Sequence, residues 1–589
     1  MSHLTVAFIN PPHADWSLAN NMTYLLCQSH YNQVGKYKNN ITWLPALYKW
    51  NLYQSYEEIY EEIKEADIFL FSSYVWNYPI IDAIAKIIKD KDSSKVTVIG
   101  GPHIGIYEPE LLKLRQTLYN YICQPTKPGE PFVSDLIDSW FENKGIPNKK
   151  DIAWEFTSDK KMSHTLESDI SVYGEHADYL KNTLQYARKY DLEPFTVLET
   201  TRGCPFKCVF CEWGGGINTK IIKKPLDIVK KDITVLRDIG FNEAFLTDAN
   251  FGTFEDRDLS IFEFAWNNDF SLTDISSFKS KNLERKKRFI DSWIQIIKSR
   301  EKDSLNPVSF KSSDSWNPDY VDVAGGNMYL EGSDISYVAI LPTISMQSIS
   351  DEAMRIAQRV DLRSEDKIEL AYYLQKRLKE EKLPFPQTHT SLELILAMPG
   401  STLDDFYKES EIIFNFQAWS SFRHDYMFLP DSNLSDEDYQ TKYDIETVEV
   451  FADISDEDGL EDVGSLYQNQ KSYFKTIRSC YSFTVEEMHE MWFMNLANSY
   501  LLENIYLPIK NYMNISDFMK LCYSIISQLD EFKLIQDEII DIFNPSTAPR
   551  SIRKLQGQFR TIAVVKLLEN NKLIINSEVL QIALRDKVA

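Results

Sequence analysis

The stretch ETTRGCPFKCVFCEWGGG occupies residues 199–216 and holds three of the seven cysteines of the chain. Cys204, Cys208 and Cys211 follow a strand-like run, Phe195 to Thr200, in the spacing C-x3-C-x2-C, and glycines close the stretch. Thiols this close along the chain cannot pair with one another as disulfides without strain. They can instead converge on a metal ion or an iron–sulfur cluster. The stretch therefore predicts a metal centre with these three cysteines as ligands.

The chain is large and acidic, with 589 residues, a formal net charge of −24 and 43% hydrophobic residues. Its length predicts three or four globular domains. Phosphate contacts need Lys and Arg, so the charge argues against a general nucleic-acid binder. The N-terminus lacks a secretory signal pattern, and no apolar run reaches about 18 residues, so we expect a cytoplasmic protein without a membrane partner. In that reducing compartment, clustered cysteines indicate metal or redox chemistry.

Residues 1–147 alternate short apolar runs with helical patterns, which predicts a doubly wound (Rossmann-like) α/β domain with a parallel sheet covered on both faces. Ligands of such sheets bind beyond the carboxyl ends of the strands. No dinucleotide-binding or P-loop glycine motif is present, and His103 lacks the Asp-x-His-x-x-Gly context of many cobalamin proteins. The strand ends either form simple turns or receive a large, flat, polar ligand. They are Asn10-Pro11-Pro12, Ser72 to Asn77, Gly100 to His103 and Pro128 to Pro131.

Residues 194–434 repeat strand and helix patterns, which predicts a partial (β/α) barrel. The run Glu243 to Gly252 predicts a strand with Asp248 and Asn250 near its carboxyl end, and the run Tyr337 to Leu341 leads to Gln347. Polar residues at strand ends are where barrel enzymes keep their sites, although strand capping and turn formation remain an alternative for these three. A helical pattern also covers Leu283 to Ser299, within a long stretch interpreted as two helices with an ordered connection.

The cysteine spacing resembles the signature of the radical S-adenosylmethionine (SAM) superfamily, C-x3-C-x-aromatic-C, with Phe210 as the aromatic residue. The resemblance implies that Cys204, Cys208 and Cys211 hold a [4Fe–4S] cluster whose fourth iron binds SAM. A zinc site would need a fourth ligand at matching spacing, and none follows. On the SAM side, the resemblance implies the following residues: Phe210, Glu212, Trp213, Gly214, Gly215, Asp248, Asn250 and Gln347.

An α/β ligand domain directly before such a barrel resembles the cobalamin (B12)-dependent radical SAM enzymes, which include methyltransferases. The resemblance implies that the N-terminal domain binds cobalamin and that the missing His motif does not count against it. Trp76 is expected to pack below the cobalt, the alternative being an aromatic residue at a domain interface. The cobalamin side would comprise Asn10, Pro11, Ser73, Tyr74, Trp76, Asn77, Gly100, Gly101, Gly129 and Glu130.

The chain is thus divided into four regions. They are a cobalamin-binding α/β domain (1–147), an ordered linker (148–193), a radical SAM barrel (194–434) and a mostly helical, substrate-shaping C-terminal domain (435–589). The linker is charged and has a helical run from Glu175 to Tyr190, and it is not rich in Gly or Ser. The tail, Thr561 to Val579, is expected to form a small helix–strand cap.

The resemblance implies a C-methyltransferase that uses a 5′-deoxyadenosyl radical and methylcobalamin to methylate an unactivated carbon of a peptide or small natural product. The alternatives are cyclisation or rearrangement without net methylation, a non-radical methyl transfer, or a cluster-bearing redox or binding protein. The implied cofactors are the [4Fe–4S] cluster, SAM and cobalamin, and the implied partner is a flavodoxin- or ferredoxin-type electron donor. Radical attack on an sp3 carbon needs no general base, so no acid/base residue is assigned.

Overall fold

The structure is a computed structural model that describes most of the chain. The described residues are 3–9, 22–44, 55–75, 77–105, 108–123, 129–146, 170–189, 196–211, 221–273, 280–299, 344–380, 391–416, 420–429, 432–453, 471–551 and 563–585.

The N-terminal region is a five-stranded parallel sheet in the order β2-β1-β3-β4-β5, with helices between the strands. From β1 the chain places β2 on one side and β3, β4 and β5 on the other, so the strand order changes direction beside β1, as in other doubly wound sheets. The strands are β1 (Leu4–Ile9), β2 (Ile41–Trp43), β3 (Ile68–Ser72), β4 (Val96–Gly100) and β5 (Tyr121–Ile122). The helices are α1 (Met22–Val34), α2 (Tyr56–Ile63), α3 (Tyr78–Lys91), α4 (Pro109–Leu118) and α5 (Gly129–Glu142).

The two faces of this sheet bury different cores because neighbouring side chains on a strand point to opposite sides. Phe69 and Phe71 face one cluster, with residues of α2 and α3. Ile68 and Leu70 face the other cluster, with residues of α1 and α5. That second cluster continues without a break into the central region, where it includes Val197 and other strand residues. The N-terminal sheet and the central region therefore share one apolar core.

The described part of the central region contains six parallel strands in two three-stranded sheets, β10-β9-β6 and β11-β12-β13, and a short antiparallel pair, β7-β8. A helix is the next described element after β9, β10, β11 and β12. The strands are β6 (Val197–Leu198), β7 (Thr201–Arg202), β8 (Ile222–Lys223), β9 (Glu243–Leu246), β10 (Ser271–Thr273), β11 (Ile344–Gln347), β12 (Ser391–Leu396) and β13 (Ser420–Asp425). The helices are α6 (Val172–Glu175), α7 (Ala177–Lys189), α8 (Leu226–Ile239), α9 (Glu255–Asn267), α10 (Leu283–Lys298), α11 (Asp351–Ile356), α12 (Ser364–Glu380) and α13 (Leu403–Phe416).

The C-terminal region packs helices against a mixed four-stranded sheet in the order β14-β16-β15-β17. Its strands are β14 (Met427–Phe428), β15 (Glu446–Asp453), β16 (Lys471–Ser479) and β17 (Arg550–Ser551). Its helices are α14 (Glu437–Lys442), α15 (Val485–Leu501, continued by a π-helical turn, Leu502–Tyr506), α16 (Ile515–Ile526), α17 (Asp530–Ile542) and α18 (Val564–Arg585). The hydroxyl of Tyr78 on α3 accepts a hydrogen bond from the backbone N–H of Tyr473 on β16 (3.0 Å), which ties this sheet to the N-terminal region.

The predicted fold class is confirmed, with a doubly wound parallel sheet, a parallel β/α central region and helices at the C-terminus. Three details differ from the sequence-based expectations. The connection between α9 and α10 contains the strand β10, the C-terminal region contains a sheet, and the described part of the tail is one helix, Val564–Arg585, without a strand. The expected strand at Tyr337 to Leu341 lies outside the described residues. No helix in the described ranges combines the length and the apolar character needed to span a bilayer.

Candidate functional site

We call residues 199–211, which contain the three cysteines, the cysteine loop. The start of this loop is hydrogen-bonded to the carboxylate of Asp248, which follows β9. Asp248 is 1% exposed and accepts backbone hydrogen bonds from Thr200 (2.7 Å) and Thr201 (3.0 Å). The hydroxyls of both threonines also donate to Asp248. Burial raises the pKa of Asp248 to about 6, although these four hydrogen bonds act to lower it. Asp248, predicted on the SAM side, thus fixes the start of the loop.

Asn250 connects the end of β9 to the first cysteine. Its side-chain amide donates to Sγ of Cys204 across 3.1 Å, and both residues are buried. The amide oxygen of Asn250 is also buried and has no hydrogen-bond partner among the described residues. A buried amide oxygen without a partner is costly, so its position fits a polar ligand next to Cys204.

The other end of the loop is held from two sides at Val209, between the second and third cysteines. Its backbone N–H donates to the carbonyl of Ala357 (3.0 Å), and its carbonyl accepts from the N–H of Leu434 (3.2 Å). The side chain of Val209 is buried in the core of the second half of the barrel and the C-terminal region, and Phe210 packs against the same core. The loop is therefore joined to both halves of the barrel.

The three cysteines lie in this loop with Cys204 and Cys208 buried and Cys211 half-buried. All seven cysteines of the chain fall within the described ranges, and none forms a disulfide. In the described part of the chain, no three His, Cys, Asp or Glu side chains already stand in an arrangement that could hold a metal ion. The donor set of three closely spaced thiols nevertheless fits an iron–sulfur cluster, because such clusters are held by thiolates.

Arg202 lies two residues before Cys204 and binds two carboxylates. Its Nε and Nη2 atoms donate to the two oxygens of Glu199, each across 2.7 Å, and its Nη1 donates to Oε1 of Glu130 across 2.6 Å. Glu130 was assigned from the sequence to the cobalamin side, and it lies in the first turn of α5. The N-terminal region and the cysteine loop therefore meet at an ion pair.

Gln347 ends β11 in the left-handed backbone region, with φ of 64°. A side chain other than glycine is strained there, and surrounding contacts must hold it. The carboxylate of Glu409 accepts hydrogen bonds from the hydroxyl of Ser348 (3.0 Å) and the N–H of Ile349 (3.2 Å). Glu409 is itself paired with Arg423 (3.4 Å), and both side chains are at most 5% exposed. This buried pair supports the turn that carries Gln347.

The backbones that follow β3 and β4 are in close contact at Ser73 and Gly101. Gly101 has φ of +104°, and a Cβ there would lie 2.5 Å from the carbonyl oxygen of Ser73. The side chain of Asn77 bridges the carbonyl of Ser72 (3.1 Å) and the N–H of Tyr74 (2.8 Å). Ser73, Tyr74, Asn77, Gly100 and Gly101 therefore share one end of the sheet, as the sequence predicts.

His103 adds a buried polar group at this edge. Its ring stacks on Tyr78 with centroids 4.6 Å apart, and its carbonyl accepts from Arg115 and from the hydroxyl of Ser73. Burial, together with the nearby charge of Arg115, holds the pKa of His103 well below its usual value, so the ring is neutral. Its Nδ1 atom has no hydrogen-bond partner among the described residues. The edge therefore fits a ligand with polar groups, as cobalamin has.

Part of the predicted site lies outside the described residues, namely Asn10, Pro11, Trp76, Glu212, Trp213, Gly214 and Gly215. The sequence did not single out Arg202, Glu199 or Arg423 as site residues. The position of a charged side chain two residues before the first cysteine could have indicated that Arg202 belongs to the site. No local pattern pointed to its partner 72 residues earlier, since ion pairs between distant segments have no sequence period.

No family model matches the chain. It is 25% identical to the 2-(S-pantetheinyl)-carbapenam-3-carboxylate methyltransferase of Streptantibioticus cattleyicolor and 25% identical to the cobalamin-dependent radical SAM methyltransferase TokK of Streptomyces tokunonensis. Each match covers 35% of this chain and 30% of the relative. The chain thus spans about a third of the length of the curated relatives that it matches.

Among solved structures, the fold is similar to that of the cobalamin-dependent SAM radical enzyme OxsB with aqua-cobalamin and SAM bound. The TM-score is 0.54 at 11% identity, over 100% of this chain and 84% of OxsB. In sequence and fold, the chain is therefore similar to cobalamin-dependent radical SAM enzymes, and the resemblance inferred from the cysteine loop is confirmed.

Proposed function

We propose that this chain is a cobalamin-dependent radical SAM methyltransferase that methylates an unactivated carbon of a peptide or small natural product. The observation that carries the proposal is the position of the cysteine loop. Cys204 accepts a hydrogen bond from Asn250, which follows a strand of the parallel β/α region. Arg202 in the same loop donates a hydrogen bond to Glu130 of the N-terminal region. The sequence similarity to two methyltransferases, one of them named as cobalamin-dependent and radical SAM, supports the same assignment.

In this proposal, Cys204, Cys208 and Cys211 hold a [4Fe–4S] cluster, and the N-terminal sheet holds cobalamin at the carboxyl ends of its strands. When bound, the cluster with SAM supplies one-electron, hydrogen-abstracting chemistry, and cobalamin supplies a transferable methyl group. The SAM side comprises the eight residues from Phe210 to Gln347 given above. The cobalamin side comprises the ten residues from Asn10 to Glu130.

The chain itself contributes position and exclusion of water. Asp248 fixes Thr200 and Thr201, and Asn250 orients Cys204, so the first ligand is held before any cofactor binds. Cys204 and Cys208 are at most 2% exposed, which protects a cluster from solvent. No proton transfer by a side chain is needed at an sp3 carbon, and none is assigned.

The net charge of −24 disfavours polyanionic substrates, which leaves peptides, amino acids and other small metabolites. One relative is named for a carbapenam carboxylate substrate, which supports a small natural product as the substrate class. Electrons would come from a flavodoxin- or ferredoxin-type donor.

The first test is anaerobic reconstitution of the full chain with iron, sulfide and cobalamin. We expect about four irons per chain, from the cluster stoichiometry, and a bound corrinoid spectrum. Cys204→Ala, Cys208→Ala and Cys211→Ala should each lose the cluster. Cys522→Ala is the matched control, because Cys522 is buried in α16 within the C-terminal core. A wild-type chain that retains no corrinoid would contradict the two-cofactor proposal.

The second test separates the reaction outcomes by product mass. A gain of one methyl group, with release of 5′-deoxyadenosine, supports radical C-methylation. An isomer or a product lacking two hydrogens indicates rearrangement or cyclisation instead. Methyl transfer without release of 5′-deoxyadenosine indicates a non-radical route. A reconstituted chain that never cleaves SAM, with or without candidate substrates, would indicate a redox or binding protein.

A further inference from the structure

Two carboxylates from different parts of the chain share the guanidinium of Arg202. Glu199 lies three residues before it and binds it through two parallel hydrogen bonds. Glu130 lies 72 residues before it and binds the remaining side of the guanidinium group. The side chains of Arg202, Glu199 and Glu130 are 19%, 15% and 6% exposed. We call these three residues the Arg202 triad.

The two arms of the Arg202 triad have different consequences. Glu199 belongs to the same loop as Arg202, so its bidentate contact orients the flat guanidinium group without joining separate parts of the chain. Glu130 belongs to α5 of the N-terminal region. Within the triad, the Glu130 contact alone therefore connects the N-terminal region to the cysteine loop.

The surroundings of Glu130 make this contact strong. The thiols of Cys27 and Cys123 are buried beside it, and their pKa values are raised, first by burial and then by the negative charge of Glu130. Such an apolar environment screens charges poorly, so a carboxylate there depends on its cationic partner. Glu130 also lies in the first turn of α5, where a negative charge favours the helix.

We propose that Glu130 is a positioning residue, which holds the cysteine loop at a fixed place against the N-terminal region through Arg202. Because Arg202 is two residues from Cys204, the contact sets where the first cluster ligand stands relative to the N-terminal sheet. This role rests on the proposed function, in which the two regions carry cofactors that must face each other. It assigns Glu130 a task in addition to the one that the sequence predicts on the cobalamin side.

The test compares Glu130→Gln with wild type by hydrogen exchange of the full chain without cofactors. Glutamine keeps the size of the side chain, and Glu199 still pairs with Arg202, so the variant should fold. The amides of Thr201, Val209 and Cys211 are hydrogen-bonded in the loop and report its opening. We expect them to exchange about tenfold faster, because the amide oxygen of glutamine accepts a weaker hydrogen bond from Arg202 than the carboxylate does.

Glu142→Gln is the matched control, because Glu142 ends the same helix and pairs with Lys36 on the surface, where both side chains are about half exposed. It should leave loop exchange unchanged. If Glu130 only stabilises α5, then Glu130→Gln will speed exchange in 129–142 and leave the loop amides unchanged, which would overturn the proposal. If the chain with Glu130→Gln melts like wild type and its loop exchanges like wild type, the proposal is equally wrong.

A second measurement uses the reconstituted protein. Cob(II)alamin and a reduced cluster are both paramagnetic, and their spin coupling depends on the distance between them. In molecules that hold both cofactors, we expect Glu130→Gln to give a weaker coupling or a broader distribution of coupling, whereas Glu142→Gln matches wild type. An unchanged coupling would count against Glu130. A wild-type chain that binds neither cofactor would contradict the proposed function. The exchange experiment, which uses no cofactor, would still decide whether Glu130 positions the loop.

Discussion

The side-chain amide nitrogen of Asn250 lies 3.1 Å from Sγ of Cys204, and both side chains are buried. An N–H donor pointed at a cluster sulfur stabilises the reduced, more negative state, because it compensates the added charge. In the proposed enzyme, the cluster potential would thus depend on a residue that follows β9, outside the loop that carries the cysteines. This relationship leads to a direct test.

Asn250→Leu should lower the reduction potential of the cluster while leaving its iron content unchanged. The physical reason is the loss of the N–H donor at Cys204. A redox titration followed by electron paramagnetic resonance measures the potential. Asn268→Leu serves as control, since Asn268 follows α9, the helix after β9, and bonds there to Arg237. A potential that stays at the wild-type value would show that this hydrogen bond does not form in the loaded protein.

Asp248 should make stability depend on pH in a specific window. Burial raises its folded-state pKa from 3.8 to about 6, so the folded chain holds this proton more tightly than the unfolded chain. The stabilisation is fully present below about pH 4 and is lost as the pH rises through about 6. A shift of about two pH units corresponds to about 3 kcal/mol.

Asp248→Asn cannot titrate, so the comparison isolates this group. The free energy of unfolding of wild type relative to Asp248→Asn should fall as the pH rises from about 4 to 6 and then level off. Thermal or denaturant unfolding at several pH values measures it. A difference that stays constant, or that grows with pH, would contradict the raised pKa.

Replacing only one partner of the buried pair Glu409–Arg423 should strongly lower the free energy of unfolding. Burial raises the pKa of Glu409 although the charge of Arg423 acts to lower it, so the carboxylate depends on its partner. Arg423→Met should lower the free energy of unfolding by about 3–5 kcal/mol, and Glu409→Gln added to it should recover part of the loss. Lys86→Met, at an exposed pair with Asp90, should cost less than about 1 kcal/mol. Equal losses at both sites would show that burial is not the cause.

Gly101→Ala should disrupt the edge of the N-terminal sheet. The new Cβ would meet the backbone of Ser73 at 2.5 Å, and φ of +104° already disfavours any side chain. We expect a lower melting temperature and less retained corrinoid. Gly129→Ala is the comparison, since a Cβ there has nothing within 4 Å among the described residues. If Gly129→Ala keeps the wild-type melting temperature but loses corrinoid, Gly129 faces the ligand as the sequence predicts.

The sequence predicted the N-terminal parallel sheet well where burial on both faces gives mostly apolar runs. The predicted strand Ala66 to Phe71 became Ile68–Ser72, and the predicted strand Val96 to Ile99 became Val96–Gly100. It missed β10 because three residues, Ser271–Thr273, are too short to show a period. It missed β15 and β16 because their long antiparallel pairing mixes charged with apolar side chains. Short or half-exposed strands are specified by their partners more than by their own pattern.

Within the candidate site, the sequence located the loop because the ligand spacing is local. Asp248 and Asn250 were found as strand-end polar residues, but their partners, Thr200 and Cys204, were not deducible. Nor was the Glu130 contact to Arg202, because only the folded chain brings these residues together. The sequence thus identifies polar residues of the candidate site, whereas the hydrogen bonds between them are known only from the folded structure.

The apolar core shared by the N-terminal sheet and the central region has a consequence for the history and engineering of the protein. Leu4 and Val6 belong to the same cluster as Val197 and Ala244. An N-terminal domain exchanged for that of a relative would have to bring a matching apolar face and the acidic partner of Arg202 with it. We therefore expect the two regions to have diverged as one unit and to resist recombination at a boundary between them.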